Sequence, residues 1–145
     1  MPSKTEPPER TLHLKLASTF DNLERAVEEA EAFMGGLTED DDLAYHVVLL
    51  TSEAVTNAME HGNGWDPEKH IIFDLTANPE RIELSVFDEG DGFEFSSVGN
   101  PLNEENMLNG RGRGLYFMEH MADELHLEKK GRLLRLVFYR ESESE

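Results

Sequence analysis

The sequence predicts an α+β fold, a two-layer α/β sandwich in which helices cover one face of a mixed, mostly antiparallel sheet. Segments with apolar residues at every second position alternate with segments whose apolar residues recur every three or four positions. Their order along the chain is strand, two helices, two strands, a long loop, a helix and two strands. A chain of 145 residues, 38% hydrophobic and 30% charged, suits one globular domain.

The first half of the chain predicts one strand and two helices. Alternating leucines predict a half-buried strand, at Leu12, Leu14 and Leu16. The first helix is expected to end at residues 35–36, and its apolar stripe consists of Phe20, Leu23, Val27, Ala30 and Met34. A second helix is expected to open at Thr38, with Asp41 in a capping-box-like position, and to stop near residues 61–64. Its apolar stripe consists of Leu43, Val47, Leu50, Ala54 and Ala58.

The second half predicts a hairpin, a long loop, a third helix and two further strands. Residues 71–76 and 81–86 alternate apolar and polar side chains on either side of residues 78–80, which is typical of a hairpin. A loop as long as residues 89–114 is rare inside a compact domain, so we expect it to be functional. The third helix has a stripe formed by Leu115, Met118, Met121, Ala122 and Leu125. A turn at residues 130–131 separates the last two strands.

Charge and composition narrow the classes of function. Acidic residues outnumber Lys and Arg by 31 to 13, which gives a net charge of -18. Such a charge repels phosphates, so we expect no direct binding to nucleic acid or to a membrane, and basic partners are favoured; solubility alone is the alternative role. The chain has no cysteine, and hence no disulfide or thiolate-bound metal. We expect a cytoplasmic protein whose flexible ends, residues 1–10 and 141–145, flank a domain at residues 11–140.

Polar side chains lie on the apolar side of the second helix. On a helical wheel Asn57 and His61 fall inside the apolar arc, and Glu53 falls at its edge, one turn before Asn57. A carboxylate and an amide that face a core are unfavourable unless a partner or ligand satisfies them. The spacing therefore indicates a polar site, or alternatively a helix end that emerges from the core into solvent.

A carboxylate closes the strand that contains residues 82–86. Asp88 continues the inward parity of this strand, and Gly90 and Gly92 follow at once. Glycines let the backbone turn and approach a ligand closely. An inward carboxylate can accept a hydrogen bond from an amino group such as that of adenine, although a plain acidic turn would have the same sequence.

A glycine- and arginine-rich segment, residues 110–114 (GRGRG), directly precedes the third helix. A glycine-rich loop that enters a helix presents backbone N–H groups and a positive dipole end to an anion. Arg111 and Arg113 can add charge-assisted hydrogen bonds to phosphates. No Gly-Lys-Ser/Thr follows, so this is not a P-loop, and a flexible loop is the alternative.

In this order the three segments resemble the nucleotide boxes of the GHKL ATPase superfamily, which includes sensor histidine kinases and type II topoisomerases. The boxes are residues 52–62 (SEAVTNAMEHG), 88–93 (DEGDGF) and 110–115 (GRGRGL). The sequences SEAVTNAMEHG and GRGLYFME are most similar to those of the bacterial anti-sigma-factor serine kinases. The resemblance covers residues 11–139 and implies the GHKL type of sandwich.

The resemblance implies ATP and Mg²⁺ as cofactors and gives roles to individual residues. Asn57 would hold Mg²⁺, Glu53 would be the general base toward a serine hydroxyl, and Asp88 would bind the adenine amino group. Residues 94–114 would form a lid over the phosphates. The residues expected to contact the nucleotide are Asn57, His61, Asp88, Gly90, Gly92, Gly110, Arg111, Gly112, Arg113, Gly114 and Leu115.

The resemblance also implies partner switching. Such a kinase phosphorylates a STAS-domain anti-sigma-factor antagonist, binds a sigma factor when the antagonist is absent or phosphorylated, and forms a homodimer. Many superfamily members carry a late-strand threonine that helps to hold adenine, and residues 131–133 contain none. This departure supports a second hypothesis, a nucleotide-gated protein-binding switch with little or no kinase turnover.

Two further hypotheses have less support in the sequence. A detached histidine-kinase catalytic domain would need a phosphoacceptor histidine on an extra N-terminal helical hairpin, and the first strand is expected to begin at about residue 11. A metal enzyme would need tightly spaced ligands, which His46, His61 and His70 do not provide.

Overall fold

A computed structural model describes residues 10–90, 115 and 118–140 of the chain. Its strands are β1 (Arg10–Ala17), β2 (His70–Ala77), β3 (Arg81–Phe87), β4 (Glu124–Glu128) and β5 (Leu133–Tyr139). They form one sheet in the order β1-β2-β3-β5-β4, and each pair of neighbours is antiparallel. Two helices, α1 (Phe20–Gly35) and α2 (Asp41–Asn57), follow β1. The predicted α+β fold is confirmed.

One face of the sheet and the apolar sides of the helices form a single core. Alternation along each strand turns Phe73, Leu84 and Leu136 toward the helices, where they are fully buried. The helices pack against these residues with apolar side chains that recur every three or four positions. Ala30 of α1 and Leu50 of α2 are examples. Burying a large aliphatic or aromatic side chain stabilises the fold by roughly 1.5–3 kcal/mol, so this shared face holds the two layers together.

The two helices begin at side-chain caps. Thr19 caps α1, and its Oγ1 accepts a hydrogen bond from the Asn22 N–H at 3.2 Å. The expected opening of the second helix at Thr38 is wrong, because Asp40 caps α2 and accepts from the Leu43 N–H at 3.1 Å. Thr38 instead accepts from the Asp40 N–H at 3.0 Å, so it shapes the turn that precedes the helix.

A π-helical turn, residues Ala58–Gly62, continues α2 without a break. The Asn63 N–H donates to the Ala58 carbonyl at 2.9 Å, five residues back, where an α-helix would bond four residues back. The wider turn changes the phase of the helical wheel. His61 is therefore exposed rather than directed into the core, and the prediction that it lies inside the apolar arc is wrong.

After the glycine- and arginine-rich segment at residues 110–114, the structure describes Leu115 and then residues 118–140. Leu115 and residues 118–121 are helical, and the Ala122 N–H donates to the Met118 carbonyl at 2.9 Å. Leu125 lies in β4, so its assignment to the stripe of the third helix is wrong. Its neighbours in β4 alternate with it, and two-residue periodicity prevails there. No helix among the described residues is long and apolar enough to span a bilayer.

Candidate functional site

A narrow cleft opens where the end of α2 meets the end of β3 and the β4–β5 hairpin. Its walls are mostly apolar, with an amide and a carboxylate among them. The lining residues are Ala54, Asn57, Ala58, Val86, Asp88, Leu115, Leu127, Gly131, Arg132 and Leu134. Apolar walls with a few converging polar groups are typical of small-molecule binding sites.

Asp88 is the buried charge of this cleft, with 3% of its surface exposed. Its backbone N–H donates to the Arg132 carbonyl at 3.0 Å, which extends the β3–β5 pairing by one step. Its Oδ1 accepts a hydrogen bond from the Gly90 N–H at 2.8 Å. The strand thus delivers a carboxylate to the cleft, and one of its oxygens is held by the turn that follows.

Two glycines allow the end of α2 to touch the end of β3. A Cβ at Gly62 would lie 2.5 Å from Asp88 Oδ2 and 2.7 Å from Oδ1. A Cβ at Gly90 would overlap the Gly62 carbonyl group, only 2.7 Å from its carbon. Both positions therefore require glycine, because real Cβ atoms do not approach heavy atoms this closely.

The second helix supplies the predicted amide and carboxylate. Asn57, the last residue of α2, is half-buried and lines the cleft. Glu53 lies one turn earlier, is also half-buried, and is not among the lining residues. His61 lies beyond Asn57 in the π-helical turn, with its Nε2 3.9 Å from Glu60 Oε1.

The structure brings Asn57, Asp88 and Leu115 together, although they come from three separate parts of the sequence. Gly90 joins them indirectly through its contact with Gly62. The remaining predicted contacts, Gly92, Gly110, Arg111, Gly112, Arg113 and Gly114, lie outside the described residues. Their roles stay predictions.

Gly131 and Arg132 are not among the predicted site residues, although the resemblance pointed to residues 131–133 on the adenine side. The β4–β5 hairpin that contains them forms one wall of the cleft. Gly131 and Arg132 line the cleft, and Gly131 has a φ of 86°, in the left-handed region that favours glycine. Lys129 and Lys130 share that backbone region, with φ values of 52° and 60°. The Lys130–Gly131 pair had predicted the turn, and only the antiparallel pairing of β5 with β3 places that turn beside Asp88.

The chemistry of the lining residues fits an aromatic base that carries an amino group, such as adenine. A carboxylate accepts hydrogen bonds from an amino group, and Val86, Leu127 and Leu134 offer apolar surface to a ring. The Asn57 amide oxygen, next to this wall, is a ligand type that Mg²⁺ accepts alongside phosphate oxygens and water. No cluster of three or more His, Asp or Glu side chains that could hold a metal by itself occurs in the described part of the chain.

Residues 16–138 match the family model described as a histidine kinase-like ATPase domain. The match includes both helices, β2, β3, β4 and all but the last residue of β5, but only the last two residues of β1. It also includes all three boxes. The resemblance predicted from the boxes is confirmed.

Curated relatives of the chain carry regulatory names. The anti-sigma F factor of Geobacillus stearothermophilus is 29% identical over 121 residues, which are 82% of this chain and 83% of the relative. The anti-sigma F factor of Bacillus cytotoxicus is 27% identical over 133 residues, 88% of this chain and 91% of the relative. The serine-protein kinase RsbW of Bacillus subtilis (strain 168) is 31% identical over 86 residues, 55% of this chain and 54% of the relative.

Proposed function

Because the chain belongs to the histidine kinase-like ATPase domain family, we propose that it is an ATP-dependent protein-serine kinase and anti-sigma factor. It phosphorylates a STAS-domain anti-sigma-factor antagonist and binds a sigma factor when the antagonist is absent or phosphorylated. The observation that carries this proposal is the buried Asp88 carboxylate in an apolar cleft that also contains Asn57. The similarity to anti-sigma F factors and to a serine-protein kinase gives the proposal its direction.

Different residues of the cleft bind the base and the metal. Asp88 accepts a hydrogen bond from the adenine amino group, and the apolar walls exclude water from the base. Asn57 offers its amide oxygen to Mg²⁺. When bound, ATP supplies the phosphoryl group and Mg²⁺ neutralises the charge of its phosphates. The arginines of residues 110–114 would add charge-assisted hydrogen bonds to those phosphates.

Glu53 serves as the general base. It accepts the proton of the partner's serine hydroxyl while the serine oxygen forms its bond to the terminal phosphorus and the bond from that phosphorus to ADP breaks. Its position one helical turn from Asn57 keeps the base close to the residue that holds the metal. A positioned general base contributes typically 10²–10⁴-fold to a rate, so this single carboxylate should govern turnover while leaving binding intact.

The net charge of the chain indicates what kind of partner surface it binds. A net charge of -18 favours partner surfaces that are basic and disfavours direct contact with nucleic acid. We place the protein in the cytoplasm, as a homodimer that exchanges a sigma factor for the antagonist.

The binding half of the proposal is tested by calorimetric titration of Mg-ATP into the wild type, Asp88→Asn and Asp74→Asn. Asp74 lies on the outer face of β2, outside the cleft, and provides the matched control. We expect saturable binding by the wild type and by the control, and a loss of at least about tenfold in affinity, ~1.4 kcal/mol, for Asp88→Asn. Absence of binding by the wild type would remove the nucleotide from the proposal.

The catalytic half is tested by the ATP-dependent mass gain of a candidate STAS-domain antagonist. Glu53→Gln should slow this transfer by at least about a hundredfold with unchanged Mg-ATP affinity, whereas Glu24→Gln on the exposed side of α1 should not. The cleft offers no hydroxyl among its described lining residues, which favours the binding-switch alternative. The binding-switch alternative is supported if nucleotide alters partner binding while neither the wild type nor Glu53→Gln transfers a phosphoryl group to the antagonist.

A further inference from the structure

We propose that Asn63 is a positioning residue for the nucleotide site. It fixes the peptide group that follows Asp88, while the Arg132 carbonyl holds the one that precedes it, so that the carboxylate stays directed into the cleft. Asn63 lies just beyond the first box and does not line the cleft. Its effect on nucleotide affinity rests on the proposed function, whereas its hold on Asp88 does not.

The side chain of Asn63 is buried, with 3% of its surface exposed, and both ends of its amide are used. Nδ2 donates to Ser18 Oγ at 2.9 Å and to the His70 carbonyl at 3.1 Å. Oδ1 accepts from the Glu89 N–H at 2.9 Å. One amide therefore joins the connection between β1 and α1, the start of β2, and the residue that follows Asp88.

The hydrogen bond from the Glu89 N–H to Asn63 holds the peptide group that directly follows Asp88. The Asp88 N–H is held by the Arg132 carbonyl at 3.0 Å, and the Glu89 N–H is held by Asn63. These two amides are the peptide groups on either side of the Asp88 Cα. Holding both restrains φ and ψ at Asp88, and with them the direction in which its side chain leaves the backbone.

The backbone of Asn63 ties this restraint to the end of the second helix. The Asn63 N–H closes the π-helical turn on the Ala58 carbonyl at 2.9 Å. The preceding residue, Gly62, contacts both the Asp88 carboxylate and Gly90. Asn63 thus holds the helix end and the strand end in the register that lets the two glycines meet.

The contacts require an asparagine. Aspartate would keep the acceptor for Glu89 but would turn a carboxylate oxygen toward the His70 carbonyl. An apolar residue would leave the Glu89 N–H without this partner. Only a side chain with a donor and an acceptor in one plane satisfies the described neighbours.

The experiment compares Asn63→Ala with Ser18→Ala by hydrogen exchange of the Gly90 amide and by Mg-ATP titration. Ser18 belongs to the same network through its bonds to Asn63 and to the Lys69 carbonyl at 2.9 Å, and neither of these hydrogen bonds involves Glu89 or Asp88. The Gly90 N–H reports on Asp88 directly, because it donates to Asp88 Oδ1. The exchange rates of the core amides of β3 and the free energy of unfolding in urea are measured for both variants. They are used to correct the Gly90 exchange rate for any loss of global stability.

We expect Asn63→Ala to speed exchange at Gly90 by at least about tenfold relative to the β3 core, and to weaken Mg-ATP binding by about tenfold. Ser18→Ala should change both by less than about twofold after the stability correction. Unchanged relative exchange at Gly90 in Asn63→Ala, or an equal change in Ser18→Ala, would overturn the positioning role. If the wild type does not bind Mg-ATP, the proposed function fails on its own, and exchange at Gly90 alone decides the role of Asn63.

Discussion

Gly62 and Asp88 show how much of the site depends on one missing methyl group. The carboxylate occupies the space that a side chain at position 62 would need, since a Cβ there would lie 2.5 Å from Oδ2. Gly62 has no left-handed φ, so alanine would fit its backbone and the conflict is confined to the Cβ. The cost of the substitution therefore falls on Asp88, the residue that closes the cleft.

We predict that Gly62→Ala weakens Mg-ATP binding by at least about tenfold and lowers the free energy of unfolding by about 1–3 kcal/mol, as overpacking does. Gly64→Ala is the matched control. Gly64 has a φ of 63° and open space around its Cβ position, so alanine there should destabilise the fold by ~1 kcal/mol and leave binding unchanged. Calorimetry and urea unfolding measure the two effects. Wild-type affinity in Gly62→Ala would contradict the close contact.

The sequence predicts correctly which way a side chain faces when the same periodicity continues along the element as far as that residue. The two-residue alternation of β3 continues through its last residue, so Asp88 points inward as predicted. The helical wheel was reliable as far as Asn57 and failed at His61, because the π-helical turn adds a residue to the ring. Nothing in the local pattern reveals Asn63, whose three partners lie between 7 and 45 residues away.

The outer face of the sheet carries an ion pair across the β4–β5 hairpin. Arg135 of β5 donates to Glu128 of β4, with 2.7 Å between Nη2 and Oε2. This hydrogen bond, reinforced by the charge of the guanidinium, lowers the pKa of the Glu128 carboxyl below its ordinary value. The same contact raises the pKa of Arg135. Glu128 is exposed, so its contribution to stability is small.

We predict that Arg135→Gln raises the pKa of Glu128 toward its ordinary value, and that Arg81→Gln, on the neighbouring strand β3, does not. Because the folded-state pKa of Glu128 lies below its unfolded value, the pair stabilises the protein above the unfolded pKa. That stability is lost as the pH falls through the folded pKa. Side-chain NMR titration measures the pKa directly. An unaltered Glu128 titration in Arg135→Gln would show that the pair does not form in solution.

At the element scale the strands were predicted more securely than the helix ends. Alternation fixes both the type and the facing of β2 and β3, and their turn begins where the Asn78 N–H donates to the Arg81 carbonyl at 3.0 Å. Helix starts are ambiguous when several capping residues lie close together. Thr38 and Asp40 are both good caps, and the structure shows that Asp40 begins α2.

The charge of the whole molecule opposes its compact state. The sequence has 31 acidic residues and 13 Lys and Arg residues. Arginine–carboxylate contacts occur in the described part of the chain at Arg81–Glu83 and around Arg135, which bonds Glu128 and lies 3.9 Å from Glu83. Most carboxylates of the described residues are exposed or half-buried, and the excess of acidic over basic charge destabilises the compact state through repulsion.

We predict that the melting temperature rises between 0.01 M and 0.15 M NaCl, where the Debye length falls from ~30 Å to ~8 Å, and then levels off. A gain of ~1 kcal/mol corresponds to a rise of about 4 °C for a domain of this size. Along the exposed side of α1, Glu28 lies four residues after Glu24 and three before Glu31. Glu28→Gln should therefore raise the melting temperature at low salt and reduce its salt dependence.

Calorimetric or optical melting at several NaCl concentrations measures both effects. A rise that continues in proportion to salt beyond about 0.15 M would indicate a general salting-out effect rather than screening. A melting temperature that falls over the low-salt range would mean that attractive pairs outweigh repulsion, against the excess of acidic residues in the chain. The same repulsion is relieved when a basic partner binds, so screening should stabilise the free protein more than its complex with such a partner.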